Sequence, residues 1–135
     1  MGKAMEKLEA LMDRTDKVHI LGPGTDITFS IKGIPCYGMH GNKNIPDGEV
    51  YTAPVRESVN GVITYNTPAP YDGFVYQNVK LVFKDGKIVE CSSNNTDRMN
   101  KIFDIDEGAR YVGEFAFGVN PQIHRAIGDI LFDEK

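Results

Sequence analysis

The chain has 135 residues, of which 41% are hydrophobic and 25% charged, with no tryptophan and a net charge of -4 at pH 7. That length suits one domain and suffices to bury a sizeable core, while the acidic balance lacks the basic face that nucleic-acid binding requires. No apolar run approaches the roughly 18–20 residues of a membrane span.

From Ala4 to Asp13 the apolar residues Met5, Leu8, Leu11 and Met12 recur at helical spacing among charged ones, which predicts a short amphipathic helix. Lys17–Leu21 reads as a strand, Gly22-Pro23-Gly24-Thr25-Asp26 as a turn, and Asp26–Lys32 as a half-buried strand with Ile27, Phe29 and Ile31 on one face. Together these make a hairpin over 17–32. Residues 33–48 show no period and are rich in Gly, Pro, Asn and Lys, so they read as a long loop of the kind that often carries function. Strands are expected at Glu49–Ala53 and Val62–Tyr65, with a turn at Asn60-Gly61. A long strand Gly73–Phe83 should turn at Asp85-Gly86 into a second strand, Lys87–Cys91, because glycine accepts the positive φ of tight hairpin turns. Asn95–Asp104 reads as a helix with Met99, Ile102 and Phe103 as its stripe, Gly113–Val119 as a strand, and Pro121–Phe132 as a mixed segment with one helical turn. The fold class is α+β, dominated by antiparallel hairpins, with the Asn60-Gly61 and Asp85-Gly86 connections in one sheet system.

Most familiar chemistries find no support. Cys36 and Cys91 are too few for a disulfide framework, and no apolar leader follows the charged N-terminus. They read as reduced thiols of a cytoplasmic protein. Cys36 and His40 offer two soft ligands where structural zinc wants four, and no second such pair exists. His19 and His124 read as exposed strand and loop residues. Gly22-Pro23-Gly24-Thr25 lacks the Lys-Ser/Thr ending of a phosphate loop, and neither a G-x-S-x-G elbow nor a reactive-cysteine motif is present.

Two acids stand out. Glu49 follows Gly48 where the long loop becomes a strand, and Glu114 follows Gly113 between aromatic and aliphatic neighbours. A carboxylate buried without a partner is costly. A metal cation, an arginine or backbone amides would each serve as that partner, and a solvent-facing position on a strand would remove the need for one.

Longer stretches carry a resemblance. Asn-Ile-Pro-Asp-Gly-Glu-Val-Tyr-Thr-Ala-Pro (44–54), Ser-Val-Asn-Gly (58–61), Phe-Lys-Asp-Gly-Lys-Ile-Val (83–89), Asp-Glu-Gly-Ala-Arg-Tyr-Val-Gly-Glu (106–114) and Leu-Phe-Asp-Glu-Lys (131–135) resemble, in order, segments of the thermophilic metallo-aminopeptidases, the aminopeptidase T and S group. Pro-Gly-Thr-Asp-Ile-Thr-Phe-Ser (23–30) is similar to the opening of the same metal-binding domain. The resemblance implies a homodimeric enzyme that removes N-terminal residues from peptides with two divalent ions of the zinc, cobalt or manganese type. Glu49 and Glu114 stand at its metal-binding glutamates, and Gly48 and Gly113 would let the backbone pass close to the metals. It also implies an N-terminal α/β domain before this stretch, and a histidine ligand and a His-x-Asp pair after it. His19, His40 and His124 do not match those positions. Residues 1–135 are therefore expected to be the front part of a metal-binding domain that holds metal weakly, is inactive alone, and exposes Ile127, Ile130, Leu131 and Phe132 to self-association. The competing expectation is a self-standing, non-catalytic β-rich binding or dimerisation domain.

Overall fold

The structure is a computed structural model and describes residues 2–41 and 43–135. Asn42, inside the stretch read as a loop, lies outside the described residues. Helix α1 (Gly2–Asp13) leads into β1 (Lys17–Gly22) and β2 (Thr25–Ser30), which pair antiparallel around Pro23-Gly24. The alternation seen in the sequence sets the faces: Ile27 and Phe29 are buried, while Asp26 and Thr28 meet solvent.

β2 pairs with β5 (Asn60–Thr64), β5 with β8 (Lys80–Lys84), and β8 with β9 (Lys87–Ser92), completing an antiparallel sheet of order β1-β2-β5-β8-β9. The turn at Asp85-Gly86 has positive φ at both residues (49° and 85°), as a two-residue hairpin requires. Asn60-Gly61 departs from expectation. It is no hairpin turn but the start of β5, whose predecessor β4 (Glu49–Thr52) belongs to another sheet. Glycine is demanded at 61 by crowding: φ is 118°, and a Cβ there would stand 2.1 Å from the Asp26 carbonyl oxygen.

The second sheet has order β10-β4-β3, formed by β10 (Phe115–Gly118), β4 and β3 (Tyr37–Met39), with both pairings antiparallel. Strand β3 corrects the reading of 33–48 as loop throughout; three residues centred on Gly38 are too few to show a period. The stretch expected as one strand over 73–83 is also two. β7 (Phe74–Tyr76) forms a small hairpin with β6 (Ala69–Tyr71) around Asp72-Gly73, and Asn78 at φ 54° separates it from β8. Helix α2 (Thr96–Phe103) starts at Asn95, whose side chain accepts from the Arg98 amide, and packs on β9.

Met5 and Met12 of α1, Ile27 and Phe29 of β2, Ile31, Val50 of β4, Leu81 and Phe83 of β8, Ile88 of β9 and Met99 of α2 belong to one buried cluster. The rings of Phe29 and Phe115 meet edge to face at 4.9 Å and join the two sheets. None of the helices formed by the described residues is long and apolar enough to cross a membrane.

Candidate metal centre

Glu49 opens β4, between Gly118 of β10 on one side and Met39 of β3 on the other. Central placement in this sheet leaves it only 6% exposed. The loop before it is stitched by Asp47, whose carboxylate accepts from the amides of Gly41 (2.6 Å) and Gly48 (2.9 Å). Asn120 Nδ2 donates to the Asp47 carbonyl at 2.7 Å, and the Val119 amide donates to that of Gly48 at 2.8 Å. Gly48 sits at φ 124°, in glycine's range.

Glu114 lies just before β10. The segment leading to it is held by Arg110, which donates to Asp104 Oδ1 (2.6 Å), Asn100 Oδ1 (3.2 Å) and the Ile88 carbonyl (3.3 Å). Arg56 stacks over the Tyr111 ring at 4.1 Å, and Phe115 anchors the next residue against Phe29. A Cβ at Gly113 would meet no protein atom within 4 Å, so the space beside its Cα is open.

Sequence reasoning named two acids, and the structure adds a third. Helix α3 (Ile130–Asp133) is capped by Asp129, and the Asp133 carboxylate accepts from the amides of Ile127 and Gly128. This compact turn delivers Glu134 and Lys135 to the end of β10. The Asn120 amide donates to the Lys135 carbonyl at 2.9 Å, and a Cβ on Gly118 would stand 2.8 Å from the Glu134 carbonyl oxygen. Each of Glu49, Glu114 and Glu134 then offers a carboxylate oxygen within 4.8 Å of the others.

The cluster contains one ammonium. Lys135 Nζ, whose side chain has no solvent exposure, donates to Glu49 Oε1 and, at 2.8 Å, to Glu134 Oε1; Asp47 Oδ1 is 3.9 Å away. Burial alone would lower the lysine's pKa, but its hydrogen bonds to Glu134 and Glu49 and their negative charges outweigh it and hold it above its usual value. The Glu114 carboxyl is pushed up, first by desolvation and then by the charges of Glu49 and Glu134, with Lys135 opposing. Its side chain reaches solvent, yet its carboxyl stands beside two others.

Glu49 Oε2 is buried and has no hydrogen-bond partner. A buried carboxylate oxygen left without a partner is costly, and a cation is one partner that would satisfy it. With two further carboxylates beside it, the residues fit a hard or borderline divalent ion. Among the described residues Cys36 and His40 do not belong to this cluster; the thiol is buried and the imidazole exposed. His19 is exposed and pairs with Asp26 at 2.9 Å, and His124 is exposed. A separate apolar concavity of about 360 Å³, between the β6–β7 hairpin, β8 and α2, includes none of the three glutamates in its lining.

An antiparallel α+β scaffold that gathers three carboxylates, one of them with a buried, unpartnered oxygen, defines a candidate divalent-metal protein. The chain belongs to the thermophilic metalloprotease (M29) family, whose profile matches residues 1–135. It is similar to aminopeptidase T of Thermus aquaticus, at 34% identity over 90% of this chain and 33% of the relative. Aminopeptidase 2 of Geobacillus stearothermophilus is 39% identical over 70% of this chain and 23% of its own length. Among solved structures, wild-type AmpT from Thermus thermophilus superposes with a TM-score of 0.84 at 31% identity, covering 96% of this chain and 36% of that one. The chain thus spans about a quarter to a third of the length of such relatives.

Proposed function

We propose that residues 1–135 supply the carboxylate side of a two-metal aminopeptidase site, with Glu49 and Glu114 as metal ligands and Glu134 as a third. The observation that carries this is the buried, unpartnered Glu49 Oε2 within a cluster of three acids. Family membership and relatives that are aminopeptidases support the reaction, release of N-terminal residues from peptides.

The residues divide the work by environment. Glu49, fixed by strands on both sides, sets the position of the site. Glu114, partly solvated, would hold a cation from the open side of the cluster. A bound pair of divalent ions would supply an acidified water and a polarised carbonyl. In this account the imidazole ligands and the His-x-Asp pair come from the longer family architecture, so residues 1–135 alone bind metal weakly and turn over no substrate. The enzyme acts in the cytoplasm as a homodimer. Ile127, Ile130 and Leu131, exposed by 58%, 76% and 54%, form an apolar edge through which residues 1–135 self-associate.

The test is calorimetric titration of the 135-residue chain with Mn2+, followed by assay on a leucine chromogenic substrate. Weak binding that Glu114→Gln abolishes, without turnover, supports the account. Binding unaffected by Glu114→Gln refutes the site, and chelator-sensitive turnover that Glu114→Gln abolishes refutes the division of ligands.

A further inference from the structure

We propose that Lys135 is an internal competitor for the carboxylate cluster, its ammonium and a divalent cation holding Glu49 and Glu134 in turn. The proposal rests on the metal reading above. Lys135 Nζ donates to Oε1 of both glutamates and has Asp47 Oδ1 at 3.9 Å, so it is surrounded by acids as a bound cation would be. One carboxylate oxygen from each of Glu49, Glu114 and Glu134 lies within 4.8 Å of the other two. A dication seated among them would therefore share one small volume with the ammonium. The dication attracts the same carboxylates with twice the charge and repels the ammonium at short range, so the ammonium gives way.

Lys135 lies just past α3, a four-residue helix whose Ile130 and Leu131 are largely exposed. Its backbone is tied to the β10 side through the Asn120 amide, while a long, flexible stem carries the charge. The arrangement also selects by charge. A sodium or potassium ion brings no more charge than the ammonium it must displace, whereas a divalent ion brings twice as much. Lys135 would thus keep the acids neutralised and ordered while reserving the site for dications.

The test compares the 135-residue chain with its Lys135→Met variant, titrating Mn2+ and following free Mn2+ by electron paramagnetic resonance, with Glu114→Gln as the site control. Removing the competitor should tighten Mn2+ binding at least about tenfold. Equal or weaker binding by Lys135→Met, with Glu114→Gln still abolishing it, overturns the proposal and leaves the metal reading standing. Absence of Mn2+ binding in both the parent chain and Lys135→Met overturns both. A second measurement needs no variant: amine acylation of the wild-type chain, read by mass spectrometry. Lys135 should be protected after chelator treatment and labelled in millimolar Mn2+; protection that persists while Mn2+ is bound contradicts displacement.

Discussion

Replacing Glu114 by glutamine should stabilise the chelator-treated protein while destroying its metal affinity. The carboxylates of Glu49 and Glu134 lie within 4.8 Å of the Glu114 carboxylate. At that distance two unit charges repel by about 0.9 kcal/mol in water and about 3.5 kcal/mol at an effective dielectric constant of 20. Glu114 reaches solvent, so the lower figure is nearer the mark. Lys135 offsets part of the repulsion, leaving a net relief of about 1 kcal/mol on substitution. For a chain of this size that corresponds to a rise in Tm of roughly 3–5 °C. The pH dependence has a definite sign. Because the folded-state pKa of Glu114 is raised above its ordinary 4.5, the folded chain binds this proton more tightly than the unfolded one. The wild type therefore pays a penalty at neutral pH that fades as pH falls through the raised pKa, and the gap to Glu114→Gln closes below about pH 4.5. Thermal unfolding followed by circular dichroism, in chelator from pH 7.5 to 4, measures this directly. A Glu114→Gln chain that is less stable at pH 7.5, or a difference independent of pH, would show that the acids are not packed against each other.

Three further outcomes are expected. Gly61→Ala combines a positive φ with a Cβ 2.1 Å from the Asp26 carbonyl oxygen, and should cost about 3 kcal/mol or more in urea denaturation. Val50, which has no solvent exposure, should lose about 1.5–3 kcal/mol as Val50→Ala by the same measurement, from two methyl groups and the cavity they leave. Burial pushes the thiols of Cys36 and Cys91 up, so Ellman's reagent at pH 8 should label the native chain far more slowly than the urea-unfolded one.

Much of the architecture was legible because local chemistry decides it. The alternation Ile27, Phe29, Ile31 fixed the buried face of β2, Asp85-Gly86 fixed a hairpin, and Asn95 marked the start of α2. Where pairing depends on distant partners, the sequence was mute. β3 exists because β4 offers an edge to Tyr37–Met39, and Asn60-Gly61 looks like a turn yet starts a strand, since only a glycine lets β5 approach β2. The break at Asn78 needed a non-glycine residue at positive φ, and the hairpin at Asp72-Gly73 went unpredicted although Asp-Gly is a usual turn pair. Glu49 and Glu114 were singled out by setting and by resemblance. Glu134 and Lys135 were present in the Leu-Phe-Asp-Glu-Lys motif without a role, because their place beside β10 comes from the backbone contacts of Gly118 and Asn120, which no spacing along the chain reveals.

The central claim, that these acids are metal ligands, is tested most directly by crystals of the 135-residue chain soaked in Zn2+ and measured at the zinc absorption edge. The account predicts an anomalous peak with carboxylate oxygens of Glu49 and Glu114 at about 2.0–2.2 Å, Glu134 beside them. Zinc found only at surface groups such as His19 or His40, with the Glu49 carboxylate still held by Lys135 alone, would contradict it.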